Sequence, residues 1–168
     1  MHRIRTAVLA SALFAGLSGA AMGAPVSDQA QIRALEDRFA AAFRAKDVDK
    51  IMSAYAPGQG LYVFDLVPPR AYASADAYRK DWTALLASFK GPVKVEISDL
   101  VIDTDGSVGW SHSAQHVSGL GADGAPVDMT VRVTDVYRKT AGRWRIVLEH
   151  VSVPVDLATG KPDMQSKP

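Results

Sequence analysis

Two long runs, VDMTVRVTDVYRK and RWRIVLEHVSVP, flank Thr140, Ala141 and Gly142 near the end of the chain. Each alternates apolar and polar residues with a period of two, the mark of a strand with one buried face. So short a spacer permits only an antiparallel hairpin. Residues 127–154 therefore form a long strand pair on which the rest of the fold must pack.

The turn chemistry sets an expected register. A two-residue type I′ turn would need positive φ at Ala141, which alanine resists. A three-residue loop, with Gly142 in the left-handed region, avoids this and pairs Lys139 with Arg143. Counting back places Arg132 opposite His150, and Arg132, Thr134, Trp144, Leu148 and His150 share the face toward the helices. A one-residue slip would exchange the faces.

Upstream, residues 93–103 read as a strand whose alternation slips near Ser98 and Asp99, which predicts a bulge or a sharp bend there. Asp105 and Gly106 turn into a strand over 108–118. A short strand at 61–67 ends at Pro68 and Pro69, which cannot donate to a ladder. Before these come three helical patterns. Ile32, Leu35, Phe39 and Phe43 recur on one face of 27–45, with Arg33, Glu36, Asp37 and Arg38 mostly off it. Asp47 caps a short helix over 48–55, and Ser74 caps a third whose Tyr78, Trp82, Leu85 and Phe89 share a face. Helices gathered first and strands last argue an α+β fold. Its expected form is a cone-shaped, curved antiparallel sheet capped by three N-terminal helices, with a pocket at the open end.

Residues 1–23 read as a signal peptide: Arg3 and Arg5, then the apolar run 7–17, then the small residues Ala21 and Gly23 at the −3 and −1 positions of a cleavage site. The expected location is periplasmic or secreted, with no membrane association once the signal is removed. Residues 24–156 then form one domain, and the polar stretch 157–168 reads as a flexible tail. The chain has no cysteine, which excludes a thiol nucleophile and cysteine-ligated metal. Its 19 Lys and Arg nearly balance 18 Asp and Glu, and no basic block stands out. Nucleic acid is therefore not an expected partner.

The segments 55–82, 127–139 and 142–156 together resemble the nuclear-transport-factor-2-like superfamily, in particular its SnoaL-like, ketosteroid-isomerase-like bacterial members. The resemblance spans about 27–156. It implies the cone-shaped fold, and a function drawn from a group that includes isomerases, cyclases, dehydratases and non-catalytic association domains. In ketosteroid isomerases it would imply a carboxylate base beside an oxyanion hole of a tyrosine and a protonated aspartate. Asp65 is the position that carries over as the carboxylate near the mouth, whereas Asp99 does not align with the oxyanion aspartate. The kinase-association branch would imply arginines on the pocket floor, anion or peptide binding, and oligomers.

Several residues are candidates for chemistry. Asp65 ends a short strand and suits a general base, or an ion pair with Arg70. His150, as an imidazole, suits a base or a donor. Arg132, if inward, needs an anion. Tyr55, Tyr78 and Trp82 supply aromatic wall with polar tips. Ser113, with Ser111 and Gln115, lines the pocket if that face of its strand is the concave one. His112 and His116 lie about 13 Å apart on a strand and cannot share one ion. No metal or organic cofactor is expected. Two functions remain open. One is a pocket for a small apolar or anionic molecule, with proton-transfer activity of an isomerase or cyclase kind. The other is a non-catalytic binding or association module. A homodimer through the sheet suits either.

Overall fold

The computed structural model describes residues 26–166. The signal peptide expected at 1–23 lies outside them. In chain order the elements are α1 (Asp28–Arg44), α2 (Val48–Met52), β1 (Tyr62–Phe64), α3 (Ala75–Ala87), β2 (Phe89–Thr104), β3 (Val108–Gly121), β4 (Pro126–Thr140) and β5 (Arg143–Ser152). The strands form one curved, unclosed sheet in the order β1-β5-β4-β3-β2, antiparallel except for β1 beside β5.

Local chemistry starts each helix where the caps lie. Ser27, Asp47 and Ser74 accept hydrogen bonds from the backbone N–H of Ala30, Lys50 and Ala77, satisfying donors that a helix start otherwise leaves unpaired. Ile32, Leu35, Phe39 and Phe43 from α1 and Tyr78, Trp82 and Leu86 from α3 are buried together. They pack on the concave face of the sheet, against Val93 and Val95 of β2, Val117 of β3, Tyr137 of β4 and Ile146 of β5. Gly109 of β3 permits a close approach of α1: a Cβ there would stand 2.9 Å from Ile32 Cδ1.

The bulge expected in β2 is present. The register with β3 shifts between Ser98 and Val101, and Asp99 takes φ of 52°. The extra residue bends the strand and accounts for the slipped alternation.

The β4–β5 register differs from the expected one. Ala141 and Gly142 alone make the turn, both with positive φ (50° and 75°), and Thr140 pairs with Arg143. A second shift follows: Tyr137 pairs with Ile146 but Val136 with Leu148, so Val147 is an extra residue in β5. Trp144 and Ile146 face inward as expected. Beyond the bulge, Glu149 takes the inward position and His150 the outward one. On β4 the buried residues are Val131, Val133, Asp135 and Tyr137, while Arg132 and Thr134 are exposed.

The segment after β5 is tied down rather than free. Val155 bridges Pro162, and Met164 accepts a backbone hydrogen bond from Thr130. Gln165 donates to the Asp128 carbonyl.

Candidate functional site

Between the helices and the concave face lies a cavity of about 380 Å³. Phe39 and Phe43 from α1 and Tyr78, Trp82 and Leu85 from α3 form one wall. Gln115 and Val117 of β3, Met129, Val131 and Val133 of β4, and Val151 of β5 form the floor. Residues 65–67, just past β1, close one side, and Met164 reaches in from the C-terminal segment. The aromatic wall is built edge to face, with Trp82 5.6 Å from Phe39 and 5.0 Å from Phe43 between ring centroids.

Three carboxylic acids line this otherwise apolar space: Asp65, Asp81 and Glu149. Asp65 accepts the N–H of Leu66 at 2.6 Å. Burial raises its pKa to about 6; the Leu66 bond opposes this, and Asp81's charge and a shared hydrogen bond with its carboxyl reinforce it. Asp65 has no ion pair with Arg70 or any other base among the described residues. Asp81 in turn accepts the Tyr72 hydroxyl at 2.6 Å.

Glu149 sits deepest. Its two oxygens accept the Tyr55 and Tyr78 hydroxyls at 2.8 and 2.5 Å. Loss of solvent raises its pKa to about 7 despite those two donors. Behind it is its cross-strand partner Asp135, also held well above the carboxylate range by burial and by the Glu149 charge. Tyr137 extends the network, donating to Glu36 of α1 at 2.8 Å and bonding Ser111 at 2.7 Å. Glu36 is raised to about 7, again first by burial. Four buried or half-buried acids whose pKa values burial raises thus run from α1 to the cavity. Carboxyl groups in such surroundings hold a proton near neutrality and can give or take one.

Two further polar groups lack partners among the described residues; Gln115 borders the cavity, whereas Trp82 Nε1 is shielded from it. Trp82 is 5% exposed, and its Nε1 has no acceptor among the described residues. Gln115 is 6% exposed, lines the cavity, and its amide makes no hydrogen bond among those residues.

Of the residues singled out from sequence, Asp65, Tyr78 and Trp82 border the cavity together. Tyr55 is buried one layer behind, on Glu149. Ser113 is buried on the concave face, two residues from Gln115, and is not in the cavity wall. The inward placement of Arg132 and His150 is overturned: both lie on the outward face of the sheet, His150 against the Phe64 ring at 5.6 Å. The type I′ turn and the Val147 bulge are the physical reason.

Sequence reasoning overlooked Glu36, Asp135 and Glu149. The signals were present. Asp135 continues the apolar set Val131, Val133 and Tyr137, and Glu36 lies four residues after Ile32 and three before Phe39.

The model of the SnoaL-like domain family matches residues 32–156. Among solved structures, an NTF2-like protein of unknown function from Pseudomonas putida KT2440 is similar, with TM-score 0.75 and 26% identity over 83% of this chain and 96% of that one. An NTF2-like superfamily protein from Salmonella enterica serovar Typhimurium aligns with TM-score 0.69 and 15% identity, over 80% and 96% of the two chains. A ketosteroid isomerase-like protein from Erwinia carotovora atroseptica aligns with TM-score 0.63 and 19% identity, over 74% and 94%. No curated protein matches the chain.

Proposed function

The chain belongs to the SnoaL-like family, and on that premise we propose that its cavity binds a small, mainly apolar molecule and moves a proton on it without a cofactor. One observation carries this reading. Asp65 is a carboxylate on the wall of an apolar cavity, with no cationic partner and a pKa near 6. Such a group is ionised at neutral pH yet more basic than a solvated aspartate, as a general base requires. A carbonyl oxygen of the guest would accept from the Gln115 amide, which lines the cavity. That contact would stabilise the enolate formed when Asp65 takes the α-proton.

The test is deuterium incorporation into aryl ketones in D₂O, together with enone isomerisation, followed by NMR. Asp65→Asn is expected to slow exchange by about 10²–10⁴-fold with folding intact. Exchange no faster than in buffer, or equal in Asp65→Asn, would overturn the reading. Export to the periplasm or medium, supported by the basic and then apolar segment 1–23, is checked by fractionation.

A second reading, association through the sheet, is favoured by the outward face. Tyr62, Phe64, Val101, Val108 and Trp110 are each at least 39% exposed there. An apolar surface of this kind marks a contact site. A homodimer is the expected occupant. Trp110→Lys should convert it to monomer in light scattering; a wild type that is monomeric at micromolar concentration would end this reading.

A further inference from the structure

The charge inventory of the cavity is one-sided. Of its lining residues, Asp65, Asp81 and Glu149 are acids, and none is lysine, arginine or histidine. Of the cations on this hairpin, Arg132 and Arg138 are exposed on the other face, Lys139 pairs with Asp28 of α1, and neither Arg143 nor Arg145 lines the cavity. The acids therefore have no protein counter-charge, and they are arranged around an opening rather than against one another's hydrogen-bond donors alone. Buried acids in this state either hold protons or take a cation from outside.

The rest of the wall suits the second option. Tyr78, Trp82, Phe39 and Phe43 form a contiguous aromatic surface, and Tyr78 and Trp82 lie 5.9 Å apart between centroids. Aromatic faces attract cations, and most strongly when desolvated. Gln115 adds an amide carbonyl with no partner among the described residues, a neutral acceptor for an ammonium N–H. Anions meet the reverse: three carboxyl groups and no positive charge.

We propose that the cavity is selective for a lipophilic amine, an apolar body whose protonated nitrogen is held by Asp65, Asp81 and Glu149 beside the Gln115 carbonyl and the aromatic wall. This rests on the reading of the cavity as a ligand site and names the class of its guest. It replaces the anionic guest that an inward Arg132 would have favoured. The groups facing Asp65 are Asp81, Tyr78 and Glu149, with Tyr72 behind Asp81. All are acids or phenols and none is a base, so an ammonium gains as Asp65 and Glu149 ionise. Amine affinity therefore rises with pH through about 6, where Asp65 gives up its proton.

Calorimetry with three probes of one skeleton tests this: 2-(1-naphthyl)ethylamine, 2-(1-naphthyl)ethanol and 1-naphthaleneacetate. At pH 7.5 the amine should bind at least about ten-fold more tightly than the alcohol, and the carboxylate not measurably. The amine's advantage should shrink at pH 5. It should vanish in Asp65→Asn/Asp81→Asn, which still binds the alcohol; Asp81→Asn alone should lose part of it. Equal affinity for amine and alcohol, or preference for the carboxylate, overturns the proposal while leaving the ligand site standing. Binding of none of the three overturns both. Amine selectivity without deuterium exchange on any ketone sinks the proton-transfer reading and leaves this one intact.

Discussion

Glu149 and His150 are neighbours in the chain and lie on opposite sides of the sheet. On the concave side, Glu149 is 4% exposed, holds two tyrosine hydroxyls and faces a cavity. On the convex side, His150 is exposed against Phe64, in the same outward row as Thr134 and His112. Arg132 is on that side too, and His116 meets Asp128 there at 3.1 Å. The hairpin thus buries Asp135 and Glu149 and leaves Arg132, Arg138 and His150 exposed. Acids can be buried because a proton neutralises each at modest cost, whereas an arginine cannot discard its charge and stays in water. The two faces consequently carry different groups: protonatable acids inside, exposed basic and apolar residues outside.

The largest expected contrast between the faces is in stability. Glu149→Leu removes the acceptor of two buried hydroxyls, Tyr55 and Tyr78, at about 1–3 kcal/mol for each orphaned group. Glu149→Gln keeps a carbonyl and should lose less. His150→Ala should stay within about 0.5 kcal/mol. Urea unfolding of the three variants decides it, and a His150→Ala loss matching that of Glu149→Leu would break the contrast.

The next effect is on pH dependence. Glu36 and Glu149 ionise near 7 in the folded protein against an ordinary 4.5. The folded state therefore binds more protons than the unfolded chain between about 4.5 and 7. Stability is fully present below that window and falls as pH rises through it, by at most about 1.4 kcal/mol per pH unit for each proton. Glu36→Gln should flatten the slope by one proton's worth, and Arg132→Ala should leave it unchanged. Unfolding curves at pH 5, 6 and 7 measure this; a stability that rises across the window would contradict the buried-acid account.

A smaller gain is expected at the turn. Asn tolerates positive φ better than alanine, so Ala141→Asn should stabilise by roughly 1 kcal/mol or less. A loss there would mean that the hairpin uses a different turn in solution. Smallest of all, Arg132→Ala should alter cavity binding by no more than about two-fold, since its side chain never reaches the guest. A ten-fold loss would restore the arginine to the pocket and sharpen the case for an anion.

Much of the fold was legible because it rests on repeated local signals. The caps Ser27, Asp47 and Ser74, the apolar stripe of α1 and the slipped alternation of β2 each report a backbone state within a few residues. The face of β4 was legible as well. Val131, Val133 and Tyr137 alternate with Arg132, Thr134 and Arg138, and the apolar set is buried. Giving the turn precedence over that pattern produced the inverted register. The magnitudes explain why the turn yields. A left-handed alanine costs about 1–2 kcal/mol, whereas each large apolar side chain gains about 1.5–3 kcal/mol on burial. Three such residues outweigh one strained one.

By itself, then, the sequence determined the class of fold, the helix starts, the hairpin and a carboxylate at residue 65 near the mouth. Tertiary structure alone decided which carboxyl groups share a cavity. Asp65, Asp81 and Glu149 come from a loop, a helix and a strand, and no local periodicity relates them. The Val147 bulge added one residue to β5, and with it Glu149 rather than His150 turned inward. A single inserted residue is invisible to alternation counted from the turn, yet it sets the sign of charge that the site presents.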